Sequence, residues 1–468
     1  MKKTVLPYAC QIPVIAKADV VVVGGGPGGL GAAVMAARHG ADVLLIERYG
    51  HLGGMAVTGE VHPFMVNHAH GQSLDKPVYT EWVARMRAYL PPAAREAQTA
   101  TGEAADGFER MINKEHALLA AEDLCLEAGV RLLYHHALVD VIGSRRRIRA
   151  VAVHSKSGLG AVRAPVFIDA TGDADLAARA GCRVEIGGPS GHCQPMTLCF
   201  KLGHVDAARM PPRPEINERY TAAVSRGEID CPRENVLLFR WIEPDVIHFN
   251  TTRVIRHSAV DGAALSEAEI IGRRQMRQFL EFLRREIPGF EQATIFSIAH
   301  HIGVRESRRV VGRVMLTREA FTKRQKFPDA IARVRYSIDI HSPDGKGTEI
   351  EGMPENEWYE IPYGCIVPVD KDNLLMAGRP ISVDHAIHSS MRVMPPAISI
   401  GQAAGMAATM AIKKGCKVDE VDGRALRRAL RKAGACLSWP PGWPSGSSPT
   451  DCAQRRCCMC WRRWAPSS

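Results

Sequence analysis

No stretch of 18 or more apolar residues occurs in the 468 residues, so no membrane-spanning helix is expected. The N-terminus carries Lys2 and Lys3, but Pro7, Gln11, Pro13 and Lys17 break up the next fifteen or so positions. No apolar run of signal-peptide length is left, which points to a cytoplasmic protein. Paired cysteine spacing is missing from most of the chain. Eight of the thirteen cysteines lie singly between Cys10 and Cys416, as in a reduced, cytosolic complement rather than a disulfide framework. Aromatic residues are scarce at 6%, and no compact basic stripe with interleaved aromatics accompanies the formal charge of +10. Residues 438–468 hold four Arg and one Asp, so +3 of that charge sits there and +7 is spread over the rest. Solvated basic surface that attracts an anionic small molecule is expected, and no nucleic acid.

What is present fits a soluble globular chain: 46% apolar and 24% charged residues, with a length suited to two or three units of ~150 residues. Asp19 to Val23 is a β-branched run of the kind that forms a buried parallel strand. A turn at 24–29 leads into an Ala-rich helix from Leu30 to His39, stopped by Gly40, and then a strand from Ala41 to Ile46. A helix over 113–129 is opened by Asn113 and closed by Gly129, with a strand at 130–134 behind it. Short alternating runs over 138–163 read as a three-stranded meander, and residues 165–168 as a last buried strand. Between 190 and 360 this repetition stops. A long helix from Glu267 to Glu286 is expected there, opened by a capping box at Ser266 and Glu269. Strands are expected near 246–250, 294–302 and 333–340. Near Pro362 the parallel signature returns: a strand over 373–377, then a helix of small residues from Ala397 to Ile412, with Pro395 and Pro396 at its start and Gly415 past its end. The expected architecture is α/β: a discontinuous Rossmann-like domain of parallel sheet, helices and meander (1–188 and 360–437), with an inserted α+β substrate or cap domain (189–359).

The turn carries the chemistry. A pyrophosphate needs backbone N–H donors that can approach closely and the positive end of a helix. Gly24, Gly26 and Gly29 are spaced Gly-x-Gly-x-x-Gly, with Pro27 and Gly28 between, and supply both. Glu47 ends the second strand eighteen residues after Gly29, where a carboxylate can accept hydrogen bonds from ribose hydroxyls. Strand, turn, helix, Gly stop, strand and acid in one register make a dinucleotide site. Three features favour FAD over NAD. Glu47 and Arg48 are followed by Gly53, Gly54 and Met55, a second close backbone approach. The turn Ala170-Thr171-Gly172-Asp173 follows a meander, where a nicotinamide domain would continue with strand–helix units. Gly378 and Arg379, with the helix containing Ala397, form a distant second segment suited to the ribityl chain and ring, whose reduced form a helix N-terminus stabilises.

With these motifs in place, the chain resembles the bacterial FAD-dependent oxidoreductase family of the glutathione-reductase-like, two-dinucleotide-binding-domain superfamily. The resemblance covers residues 12–437. It rests on 21–29, Glu47-Arg48 with Leu52-Gly53-Gly54, residues 169–173, Arg305-Glu306-Ser307-Arg308-Arg309, Ile361-Pro362-Tyr363-Gly364, 377–379 and Arg392-Val393-Met394-Pro395. It implies FAD contacts at Glu47, Arg48, Gly54, the backbone near Leu138, Thr171, Gly172 and Arg379, and it implies no particular substrate. Two absences narrow the reaction. No Cys-x4-Cys follows the first Gly turn, which argues against a dithiol relay. No second Gly-x-Gly-x-x-Gly follows a strand, which argues against a built-in NAD(P)H site. A hydride is therefore expected to pass between a small organic substrate and flavin N5, with O2, a quinone or a carrier protein as the external electron acceptor.

Candidate substrate-facing residues lie between the second segment's strand and helix, over 384–392, and in the 305–309 motif. His385 or His388 can move the proton that accompanies the hydride, and Arg392 or Arg305 can hold a carboxylate or oxyanion. For both histidines a simple hydrogen-bonding role competes. For Arg305 an ion pair with Glu306 competes. His51 and His62 flank the Gly53-Gly54 turn and offer sites for covalent flavin attachment, and Tyr363 can pack on the ring or in the core. The tail from 438 holds four of the seven Trp, and Cys457-x-x-Cys460 has zinc-like spacing. No second pair accompanies it, so a frame-shifted or disordered tail and no metal are expected. The rivals to a redox enzyme are a flavin-binding protein without turnover and a tRNA-directed flavoprotein.

Overall fold

A computed structural model describes residue 6, residues 9–92 and residues 112–438. Val20–Val23 and Val43–Ile46 are buried at every position, as the middle of a sheet covered on both faces requires. They lie in a five-stranded parallel sheet, in the order Leu374–Met376, Val166–Asp169, Val20–Val23, Val43–Ile46, Arg131–Leu133. The strand at 374–376 comes from the far end of the chain and pairs with Val166–Asp169, so the sheet is closed only when both segments are present. The meander forms as expected over Ala137–Gly143, Ile148–Ser155 and Gly158–Arg163. An unforeseen fourth strand, Val14–Lys17, adds parallel to its edge.

Two helices fix the turn. The first runs Pro27–Arg38, three residues earlier than its apolar pattern suggests, because Pro27 occupies the first turn, where its missing N–H costs nothing. The second runs Met394–Lys414 and ends at Gly415 in the left-handed conformation (φ 63°). They cross with their backbones nearly touching: a Cβ on Gly401 would stand 2.0 Å from the Gly28 carbonyl oxygen, and one on Gly405 2.1 Å from that of Ala32.

A second apolar core lies under the antiparallel sheet Leu238–Arg240, Ile247–Phe249, Phe200–Gly203, Thr294–Ile298 and the helices Arg213–Ser225 and Gly262–Glu286. The long helix starts five residues before the expected Glu267. Asp261 is the true cap and accepts from the Ala264 N–H. Ser266 instead donates back to the Gly262 carbonyl, and Glu269 accepts from the Ile302 N–H. The strand expected over 333–340 is two strands, Ala330–Val334 and Ile338–His341. The first pairs with Tyr359–Pro362 and the second turns into a hairpin with Thr348–Glu351. Leu316, Phe321, Ile331 and Val334 pack in the larger core with the parallel sheet. The tail and its cysteines lie outside the described residues. No described helix is long and apolar enough to cross a membrane.

Candidate functional site

A cavity of about 810 Å³ runs between the parallel sheet and the antiparallel one, near the upper end of the ~300–1,000 Å³ usual for ligand sites. Part of its lining is backbone. Gly24 has φ +105°, and a Cβ there would stand 2.3 Å from the Ala170 carbonyl oxygen. One on Gly28 would stand 2.8 Å from the Gly378 nitrogen, and one on Gly54 2.6 Å from the Gly26 Cα. Larger residues would force apart the strand ends that meet here. The N-terminus of Pro27–Arg38 opens at this point, with no side chain capping it, so its N–H groups are free for an anion.

Glu47 holds this turn together. One carboxylate oxygen accepts from the Gly25 N–H at 2.6 Å and the other from the Tyr49 N–H at 3.0 Å. Arg48 lies over the Tyr49 ring. Met55, Leu138, Ala170, Thr171, Gly172, Asp173, Gly378, Arg379 and Ala397 join Gly24, Gly26, Pro27, Gly28, Glu47, Arg48 and Gly54 around the same space. Arg379 is held by Asp173 at 2.9 Å and by the Val304 carbonyl. Asp173 also accepts from the Ser307 hydroxyl. Buried Asp169 ties down the turn by accepting from Thr171 and from the Ala177 N–H. Of the expected cofactor residues, Gly29 and Gly53 do not reach the cavity. Gly29 packs on the Gly24 carbonyl, and Gly53 donates its N–H to the Gly25 carbonyl. Both shape the turn from behind.

The rest of the lining is side chain, and it regroups the candidate substrate residues. Arg305 and Arg392 line the cavity. Arg305 donates to the Pro195 carbonyl at 2.9 Å and the Thr197 hydroxyl at 2.5 Å. Glu306, its expected partner, faces the other way and pairs with Arg309 at 2.6 Å. His385 and His388 do not line the cavity. The short helix His385–Met391, unforeseen from the sequence, turns them into the protein. His385 bonds Glu306 at 2.8 Å, and His388 is 1% exposed. Burial pushes Glu306 up, but the His385 hydrogen bond and the charges of His388 and His385 outweigh it and hold the group at about 2. Tyr363 is core, its hydroxyl donating to the Val418 carbonyl. His51 stacks on Tyr49 outside the lining.

His62 does line the cavity. Its Nε2 donates to the Ala56 carbonyl at 3.0 Å, and its Nδ1 has no hydrogen-bond partner among the described residues. The ring stacks on Trp241 at 4.9 Å. Burial, then the nearby His248 and Lys201, hold its pKa well below the ordinary imidazole value, so it is neutral and its Nδ1 is an acceptor. Beneath it, Lys201 pairs with buried Glu60 and lies 4.4 Å over the Trp241 ring.

Sequence reasoning missed Arg233, Asn250, Tyr336, Asp339 and His341, which share the lining with Arg305 and Arg392. Asp339 accepts from the Tyr336 hydroxyl at 3.0 Å and faces Arg392 at 3.4 Å. His341 Nδ1 lies 3.0 Å from Arg253, a group that only donates, so the ring proton sits on Nε2. Burial and then Arg305 lower His341 to about 3. Arg305 itself falls to about 9, first through burial and then through Arg392, Arg233 and Arg253. No short motif marks these residues; only the break in the strand at 335–337 could have drawn attention to the hairpin.

Comparison with known proteins places these features. The family described as FAD dependent oxidoreductase matches residues 19–430. A digeranylgeranylglycerophospholipid reductase from Thermoplasma volcanium is 30% identical over 160 residues, covering 33% of this chain and 39% of the relative. Digeranylgeranylglycerophospholipid reductase 2 from Methanopyrus kandleri is 34% identical over 161 residues, covering 33% and 37%. The chain thus spans under two-fifths of the length of these curated relatives. A solved geranylgeranyl bacteriochlorophyll reductase-like protein from Thermoplasma acidophilum is 13% identical, with a TM-score of 0.45 over 90% of this chain and 84% of that one.

Proposed function

This chain belongs to the FAD dependent oxidoreductase family, and on that premise we propose that it oxidises or reduces a small organic molecule held beside the flavin in the 810 Å³ cavity. FAD is its cofactor. The residues fit that group: a side chain at Gly24, Gly28 or Gly54 would strike backbone, and the uncapped helix end is suited to a pyrophosphate. Gly24, Gly26, Pro27 and Gly28 would hold the pyrophosphate, Glu47 a ribose, Leu138 the adenine side, and Gly378, Arg379 and Ala397 the ring side. Bound FAD supplies a hydride acceptor or donor at N5.

The observation that carries the reading is continuity. One cavity is lined both by this cradle and by guanidinium and imidazole side chains from loops and a hairpin facing it. Arg305 and Arg392 orient the substrate. His62, in place of His385 and His388, takes the proton on its free Nδ1. Trp241 and Phe239 help to exclude water. We divide the chain into an FAD-binding domain (1–188 and 360–437) and a substrate domain (189–359) that lends Leu316 to Val334 to the first core. We place it in the glutathione-reductase-like superfamily, with O2, a quinone or a carrier protein as electron acceptor. The purified protein is expected to show a flavin spectrum that bleaches anaerobically with one class of small metabolite. A colourless, well-folded protein that takes up no added FAD would sink the reading.

A further inference from the structure

Three guanidiniums line the substrate part of the cavity: Arg233, Arg305 and Arg392. A fourth, Arg253, stands behind them on His341. Two carboxylates answer these four charges. Asp339 faces Arg392 at 3.4 Å, and Glu234 faces Arg253 at 3.4 Å. Among the described residues, Arg305 and Arg233 hydrogen-bond only to neutral groups. Arg305 donates to Pro195, Thr197 and Asn250, and Arg233 Nε donates to the Asn235 side-chain oxygen at 3.2 Å. Arg233 is 7% exposed, and its Nη1 has no hydrogen-bond partner among the described residues; neither has Arg392 Nε. His341 adds no charge of its own. Buried cations left without counter-charge are costly to keep in a fold, and a missing anion accounts for them. The pyrophosphate is not that anion on this geometry, since the glycine turn and the uncapped helix end mark its place.

We propose that the substrate is an organic oxyanion, a carboxylate or a phosphate monoester, whose charged group is held by Arg233, Arg305 and Arg392, while its apolar part lies along Leu237, Phe239 and Ile350. This deepens the proposed function and rests on substrate and flavin sharing the cavity.

The test is calorimetric titration of the purified holoprotein with hexanoate, hexyl phosphate and hexanamide, with the flavin spectrum recorded on the same samples. One or both anions are expected to bind at least about ten-fold more tightly than the amide, and the tighter anion identifies the oxyanion. Arg233→Gln is expected to weaken that anion about ten-fold or more while its flavin-to-protein ratio stays that of the parent. If R233Q does not fold, Arg392→Gln is read in the same way. Equal binding of anion and amide overturns the proposal, as does failure of both anions to bind. Loss of flavin from folded R233Q also overturns it, because the guanidinium would then serve the cofactor. A parent protein without flavin fails the redox reading, while the titration still decides the anion site.

Discussion

One part of the cavity lining is made of backbone and the other of side chains. In the first, a carbon added to Gly24, Gly28 or Gly54 would stand 2.3, 2.8 or 2.6 Å from Ala170, Gly378 or Gly26 backbone. In the second, Arg233, Arg305, Arg392, Asp339 and His62 arrive from separate strands and turns, and three of their polar atoms lack partners among the described residues. The first is built to hold one shape. The second is a set of charges whose arrangement can vary without disturbing the sheet beneath. The backbone part is therefore expected to govern which cofactor binds, and the side-chain part which substrate.

The sharpest way to break this contrast is at the helix crossing. Gly401→Val places bulk where even a Cβ would stand 2.0 Å from a carbonyl oxygen, and is expected to abolish folded, flavin-loaded protein. Expression with normal flavin content would show that the cradle tolerates side chains. Next, Glu306→Ala removes the acceptor that Arg309 and His385 share, and is expected to cost about 3–5 kcal/mol in denaturant unfolding. A smaller loss means that water replaces the carboxylate.

On the side-chain part, His62→Gln is expected to slow flavin reduction by about 100-fold at saturating substrate with little change in binding. An unchanged rate in stopped flow assigns the proton elsewhere. The pH dependence of stability separates two sets of buried groups by sign. Asp75, under the second helix, is raised to about 7 by burial. The folded chain keeps this proton where the unfolded chain has lost it, so its contribution falls as pH rises from ~4 to 7. Buried His248 and His341, both lowered to about 3, mainly by burial, act oppositely. Their contribution is full above ~6.5 and falls as the medium is acidified towards 3. Asp75→Asn is expected to remove the first slope, on the order of 4 kcal/mol, and leave the second; an unaltered profile refutes the assignment. The smallest effect is at the surface. Arg131→Ala breaks an ion pair with Asp42 whose side chains are 47% and 52% exposed, and is expected to change stability by under ~0.5 kcal/mol.

The same contrast explains what was legible in the sequence. The glycine turn, Glu47, the meander, Asn113 as a cap and the helix after Pro395 are each written within a few neighbouring residues, because local backbone geometry dictates them. The strand Val14–Lys17 was missed because only the Gly158–Arg163 edge selects it. Asp261 was passed over as a cap for Ser266, since both types cap equally well and only the fold decides. His385 and His388 lay in the right segment and face the wrong way, a matter of helix phase that spacing alone did not reveal. Arg233 and Asp339 carry no local signal, because they meet only through tertiary structure.

The close crossing of Pro27–Arg38 and Met394–Lys414 bears on how the protein is made. Thr409 bonds the Ala36 carbonyl across 373 positions of chain. A nascent polypeptide emerging N-terminus first would present its glycine turn long before the helix that seats it exists. Flavin loading is thus expected to be among the last events of biosynthesis, so a ribosome stalled before residue 394 would display a chain that holds no flavin.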